Sequence, residues 1–476
     1  MNERTDKLFS QFSAVSGAGS HLLNKTKGDS YIWGTVIMLT ISSLLVVYSA
    51  TGSLAYKMNH GNTAIYLFKQ LSFIVIGLLM IYFLHRVNYT LYSKVSLVLF
   101  LISIPLLIYT LFFGAEINEG SRWIKVPVIN LTFQTSDFAK LALFMYLSRQ
   151  LSRKQEVIKD WKKGFLPLII PVALTCILIM PANLSNALLT GATSLLLLFI
   201  GRASFKHIIL VVCVAILPVL LIISIAVSTH KADTKPGAKA STAAALTSVG
   251  RVGTWVRRVQ DFMYAKKDST PYQLQQAKMA IANGGIFFGR GPGNSLARNY
   301  LPQAYNDFIF NIIIEEYGLL GGAFIMFMYM VFLFRCISIF RRCPFAFGAL
   351  LALALSFTLA IQATANMAVA VGLMPVTGVT LPLVSMGGSS FLFTCAAIGI
   401  ILSVARNVEQ LEGLNVVAAP EAPAPKGEME DVEPSVAPVT RTTTTKGEKK
   451  FESIQSNKNQ GGALFIQNGA AKPTNK

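Results

Sequence analysis

Apolar stretches recur from Tyr31 to Ala405, each of about 20 residues, the length a helix needs to cross a hydrocarbon layer. In lipid every backbone N–H and C=O must be satisfied within the protein, so such stretches fold as helices. One stretch makes an anchor; many make a polytopic membrane protein. Composition agrees, with 53% of the 476 residues hydrophobic and 14% charged, against about 25% charged in soluble domains. An ordinary soluble enzyme is excluded.

Ten spans are expected: 31–50, 65–84, 91–113, 136–151, 165–180, 185–200, 208–227, 308–334, 346–372 and 391–404. The fourth carries Asp137 and Lys140, is the least hydrophobic, and rests on the topology count. Residues 1–30 lack the apolar core and cleavage site of a signal peptide, so the first span is an uncleaved anchor. With that segment in the cytosol, the inner loops hold Arg86, Arg153, Arg202, Arg335, Arg341 and Arg342 among others. The short outer loops are poor in positive charge, as the positive-inside rule requires. The expected architecture is therefore an all-α polytopic membrane protein with both termini inside. It has a cytosolic segment 1–30, a ten-helix body 31–406 and a tail 407–476 too poor in apolar residues to fold alone.

The net charge of +19 is not a nucleic-acid signal. From Gln410 onward eight basic and eight acidic residues cancel, and residues 1–30 carry +1, which leaves +18 in the membrane body. Charge placed there serves topology and anionic ligands. The five cysteines and five histidines are scattered, with no CxxC pair, so neither a disulfide framework nor a zinc site is expected. No GxxxxGK[ST] motif supports an ATP-driven pump.

Two outer loops are long enough to hold structure. The first, 114–134, contains Glu116, Glu119, Arg122, Trp123 and Lys125. The second, 229–305 between the seventh and eighth spans, carries eleven basic residues against Asp233, Asp261 and Asp268 and reads as a cradle for an anionic ligand. Its first part, 230–248, is rich in Ser, Thr, Ala and Lys and expected to be mobile. In 249–283, Trp255, Val256, Val259, Phe262 and Met263 recur at helical spacing. That pattern fits either an interfacial amphipathic helix or a helix packed over the bundle.

Ionisable groups in or beside apolar spans are costly and mark candidate sites. Asp307 stands where the basic loop meets the eighth span, beside Phe308, Ile309 and Phe310. It can be a general base whose pKa apolar neighbours raise, or simply the cap of a helix. Glu315 and Glu316 fall eight and nine residues on, about 12–14 Å deeper. There a buried salt bridge or a backbone bond suits them better than the same chemistry. The stretch 284–295, with five glycines and Arg290, reads as a phosphate nest aided by Arg298, or as a tight turn needing positive φ. Asp137 and Lys140 share a helix face and can pair, while Lys140 in a cavity would contact phosphate together with Arg122. The irregular segment 374–390, with Pro375, Gly378, Pro382 and Ser389, must be buried or line a cavity. Ser389 is counted with the anion-binding set, and Pro375, Gly378 and Pro382 with the cavity wall.

These pieces, taken in order, resemble the SEDS family of bacterial shape, elongation, division and sporulation proteins, and most of all its cell-division branch. The matching residues are Gly120-Ser121-Arg122-Trp123-Ile124, Gln134 through Lys140, the glycine stretch, Leu301-Pro302 through Phe310, Glu315 through Gly318, and 375–390. The resemblance implies a peptidoglycan glycosyltransferase of the bacterial inner membrane that polymerises lipid II at the septum. It further implies a class B penicillin-binding transpeptidase and other division proteins as partners, with membrane lipid and no nucleic acid. The family's essential acidic residue falls on Asp307. Three departures stand out: Pro181-Ala182-Asn183 lacks an acidic residue often found there, Asp137 replaces a Glu, and Arg298 replaces a Lys.

The implied chemistry is inverting displacement at an anomeric carbon, with Asp307 taking the proton of the acceptor's 4-hydroxyl. Arg122, Lys140, Arg290, Arg298 or a divalent cation such as Mg or Mn would stabilise the departing pyrophosphate; no protein metal site is expected. The rival readings are a lipid II flippase and a non-catalytic scaffold of the division machinery.

Overall fold

The computed structural model describes residues 28–58, 62–116, 121–126, 131–233, 252–264, 272–301 and 303–418. Every expected span is helical. The first helices are α1 Ser30–Ala50, α2 Gly52–Met58, α3 Ala64–Arg86 and α4 Tyr89–Phe113. Strands β1 Ala115–Glu116, β2 Ser121–Val126 and β3 Leu131–Gln134 pair antiparallel in that order, with Trp123 opposite Gln134, and lead into α5 Thr135–Arg153. A π-turn at Trp161–Phe165 precedes α6 Leu166–Ile179, followed by α7 Leu184–Ile200 and α8 Phe205–Asp233. The second long loop contributes α9 Val252–Met263, α10 Tyr272–Gly284 and α11 Ala297–Tyr300. The chain closes with α12 Ile309–Arg342, α13 Ala346–Ala370 and α14 Gly388–Ala418.

Among the described residues eight helices are long and apolar enough to cross a bilayer, and α5 and α7 fall short. Length and apolarity thus count eight where the sequence reading has ten. The shortfall has a physical reason at α5, which buries Asp137, Lys140, Ala142, Leu143, Phe144 and Leu147 against protein rather than lipid. A helix enclosed by other helices is free of the hydropathy that lipid demands. Helices α5, α13 and α14 form the centre of the bundle, and α8 lies at its edge. Close packing of α3 on α14 depends on Gly77, where a Cβ would fall 2.6 Å from Cys395 Sγ.

Helices α1 and α12 run antiparallel and are strapped at both ends. Asp29 caps α1 by accepting the N–H groups of Tyr31 and Ile32, and pairs with Arg335 of α12 at 2.6 Å. At the other end the Ser49 hydroxyl donates to Glu316. Between these straps α12 is broken, because Gly318 has φ 70° and ψ −175°. The expected single span 308–334 is therefore two helices. Residues 319–342 alone extend about 36 Å, enough to cross a hydrocarbon layer of about 30 Å. Glu316 lies level with the end of α1, so the greater depth expected for Glu315 and Glu316 is corrected.

In α9, Val252, Trp255, Val256 and Val259 pack on Ile222, Ile225 and Ala226 of α8, leaving Phe262 and Met263 exposed. The packing reading thus accounts for four apolar positions of that helix. Helix α14 runs to Ala418, past the body boundary expected at Arg406. Most of 230–248, and the expected N-terminal segment and tail outside 28–418, lie beyond the described residues.

Candidate active site

Residues 303–308 form a turn leading into α12, and its backbone is held rigidly. Met386 N–H donates to the Tyr305 carbonyl at 3.0 Å, Ser385 Oγ to that of Asn306 at 2.6 Å, and Asn366 Nδ2 to that of Asp307 at 2.9 Å. Three successive carbonyls are thus fixed from two other parts of the chain. Asn366 Nδ2 also donates to the Val379 carbonyl at 2.7 Å, and Ser385 Oγ accepts the Leu381 N–H at 2.9 Å. The half-buried Asp307 sits on this platform. Phe308 holds the cap position of α12, its carbonyl accepting from Asn311 N–H at 3.0 Å, so Asp307 precedes the cap. Burial, with Tyr66 and Asp307 nearby, pushes the Tyr305 hydroxyl above its usual range, so Tyr305 remains a neutral phenol.

The segment 375–387 that holds the turn is itself pinned. Tyr329 donates to the Pro382 carbonyl and Ser43 to that of Val384, while Gly378 and Leu383 adopt φ 64° and 62°. The left-handed backbone at Leu383 is costly for a branched side chain and persists because its surroundings over-determine it. Pro375 is half-buried in the same segment.

Beside this platform, α5, α13 and α14 enclose a cavity of about 380 Å³, counting the space at its mouth, lined by Asp137, Lys140, Thr358, Gln362, Ser390 and Thr394 among others. Lys140 pairs with Asp137 at 2.8 Å, and Asp137 Oδ2 is buried without a hydrogen-bond partner. Gln362, which lines the cavity, and Asn366, which holds the Asp307 carbonyl, lie one turn apart on α13, about 6 Å along the helix axis. Ser389 Oγ accepts the Gln134 N–H at 3.0 Å, tying α14 to β3. Among the described residues no three His, Cys, Asp or Glu side chains converge to hold a metal ion.

The family of cell cycle proteins FtsW, RodA and SpoVE matches residues 29–410. The chain belongs to it. Among curated FtsW/RodA/SpoVE proteins, "Probable peptidoglycan glycosyltransferase FtsW" of Trichlorobacter lovleyi is 31% identical over 380 residues, 79% of this chain and 92% of the relative. "Stage V sporulation protein E" of Bacillus subtilis is 31% identical over 379 residues, 78% of this chain and 95% of its own. Two solved structures share the fold. One is a chain from a peptidoglycan synthase complex that coordinates polymerization and crosslinking, at TM-score 0.61 and 24% identity, covering 80% of this chain and 99% of that one. The other is the rod shape determining protein RodA of Thermus thermophilus, at TM-score 0.54 and 23% identity, covering 80% and 97%.

Within this FtsW/RodA/SpoVE fold the cations expected to hold pyrophosphate sit in different surroundings. Lys140 is in the cavity, Arg298 Nη1 donates to the Ser49 carbonyl at 3.2 Å, and Arg290 is exposed. Arg122 lies in β2, with its side chain outside the described residues. The glycine stretch follows the tight-turn reading. Gly285, Gly289, Gly291 and Gly293 have φ between 60° and 88°, and the N–H groups of Arg290 and Gly291 donate to the carbonyls of Glu315 and Glu316 at 2.9 and 3.0 Å. Those two donors, which a nest would offer to phosphate, are spent on the broken end of α12.

Glu315 accepts from Ser295 Oγ and from the N–H groups of Leu296 at 3.2 Å and Ala297 at 3.1 Å, so it caps α11 by backbone bonds. Asn183, where the family often has an acidic residue, is the buried cap of α7 and accepts the Asn186 N–H at 3.2 Å. Sequence reasoning passed over Asn366, Ser385 and Gln362. Gln362 and Asn366 are uncharged polar side chains inside an otherwise apolar span, a weaker signal than an ionisable group, and Ser385 lies within the segment 374–390 without a charge to mark it.

Proposed function

We propose that this chain is a membrane-embedded peptidoglycan glycosyltransferase that polymerises lipid II during cell division, with Asp307 as its general base. The observation that carries the reading is the locked turn, which ties the Asp307 backbone to Asn366, one turn along α13 from Gln362 of the cavity that holds Asp137 and Lys140, in a chain whose relatives bear that activity in their names. Asp307 takes the proton from the acceptor sugar's 4-hydroxyl, the oxygen bonds to the donor's C1, and the bond from C1 to the lipid pyrophosphate breaks with inversion. Fixing the base beforehand lowers the cost of reaching the reactive geometry.

Pyrophosphate is a good leaving group, so positive charge matters more than an acid. Lys140 and Arg298 are assigned to it, with Arg122, Arg290 and the Ser389 hydroxyl in supporting positions. Among the described residues no cluster forms a metal site, and no step is routed through a cation. The Ser49 end of the bundle faces outward and both termini face the cytosol. A class B penicillin-binding transpeptidase and other division proteins are the partners, at the septum.

Purified protein with its transpeptidase, given lipid II in detergent, tests the reading. Glycan polymer is expected from the wild type and none from Asp307→Asn, with both equally folded. A flippase would make no polymer in either case, and full polymerisation by Asp307→Asn would remove that residue from the chemistry.

A further inference from the structure

The glycine-rich turn that crosses the break in α12 carries three apolar residues, Ile286, Phe287 and Phe288, which are 65, 64 and 85% exposed. Leu319 and Leu320, just past the break, are also exposed, and their N–H groups donate to the carbonyls of Gly285 and Ile286 at 3.1 and 3.3 Å. Two apolar strips are thus stitched side by side. From Leu320 the exposed strip continues down α12 through Phe324, Phe327 and Phe334, along one side of the spanning helix. The tip lies at the Ser49 end of that strip, because Glu316, two residues before the break, meets Ser49.

The turn is bonded to α12 on both sides of its tip. Carbonyls 285 and 286 accept from α12, and the N–H groups of 290 and 291 donate back to it. Four polar groups flanking the tip are thereby kept from an apolar medium, where an unpaired backbone group is costly. Arg290, two residues beyond Phe288, is exposed and placed to reach a phosphate headgroup.

We propose that residues 286–288 are a membrane-dipping anchor that inserts into the lipid leaflet at the Ser49 end of the bundle. Acyl chains of bulk phospholipid are the occupant, because the three exposed apolar side chains of the tip continue the long exposed apolar flank of α12. The anchor fixes the height of the long loop over the bilayer, and it stands whether or not Asp307 is catalytic.

The test uses the full chain in lipid nanodiscs of phosphatidylethanolamine and phosphatidylglycerol, with Phe288→Trp read against the four native tryptophans. Phospholipid brominated on its acyl chains should quench the added emission at least twofold more than aqueous iodide does. Iodide quenching without bromolipid quenching would overturn the anchor. So would bromolipid quenching that disappears when the transpeptidase is reconstituted alongside, since a protein would then be the occupant. Phe287→Trp gives the same reading should the first variant fail to fold.

Discussion

At the residue scale, the amide of Asn366 does more for the candidate site than any charge identified from the sequence apart from Asp307. It donates to carbonyls from two irregular segments, one of which carries Asp307. Asn366→Leu should leave both carbonyls without that donor, at about 1–3 kcal/mol for each buried group, and should reduce polymerisation well beyond what the loss of folded protein explains. Measuring kcat on the fraction still folded at low temperature checks this, and an unchanged kcat would reduce Asn366 to a packing residue. Glu315 is the contrasting case. Its carboxylate serves the backbone of α11, so Glu315→Gln weakens charge-assisted bonds while still offering an acceptor. Thermal melting should fall by several degrees with turnover little changed at permissive temperature. A loss of turnover at unchanged melting temperature would overturn the structural role.

At the element scale, the helices were legible because apolar runs of spanning length leave few alternatives in lipid. The break in α12 was not. Glu315, Glu316 and Tyr317 before Gly318 and Leu319 and Leu320 after it are all helix-compatible, and what stabilises the break is a turn some thirty residues earlier in the sequence. The same blindness placed Glu315 and Glu316 too deep, since both precede the break at Gly318 and the membrane-spanning part of α12 begins only after it. The cavity was legible in part: Asp137 and Lys140 announced it, whereas Gln362 and Thr358 came from α13 without a charge to mark them. The break yields its own prediction. A Cβ at Gly318 would lie 2.9 Å from the Phe287 carbonyl group, at φ 70°. Gly318→Ala therefore adds a steric clash to the strain, about 1–3 kcal/mol, of a backbone conformation essentially confined to glycine. Lower yield and a lower melting temperature are expected, and Gly285→Ala, with positive φ but open space around it, should be milder. Equal effects of the two would show that the close approach to Phe287 carries no cost.

At the scale of the whole molecule, α1 joins the two ends of the bundle. Its start is tied to α12 through Asp29 and Arg335, and its finish through Ser49 and Glu316, with Arg298 of α11 bonded to the same serine. The Asp307 turn enters α12 directly, so the strap at Ser49 is close to the site, while Arg335 is separated from it by nearly the full length of a spanning helix. Breaking the remote strap should therefore cost stability without touching chemistry. Arg335→Met strips a buried carboxylate of its partner and stacks nothing comparable on the Tyr31 ring, over which Arg335 lies at 4.4 Å. Asp29 keeps its two capping bonds, and Arg335 is partly exposed, so the loss should stay below the 3–5 kcal/mol expected for a fully buried pair. Asp29→Asn should lose less still, because an amide oxygen can go on capping α1. Melting curves in nanodiscs should rank wild type above Asp29→Asn and Asp29→Asn above Arg335→Met, with all three polymerising lipid II alike at low temperature. If Arg335→Met instead stops polymerisation at an unaltered melting temperature, the two ends of α1 are coupled through α12, and the site extends across the membrane.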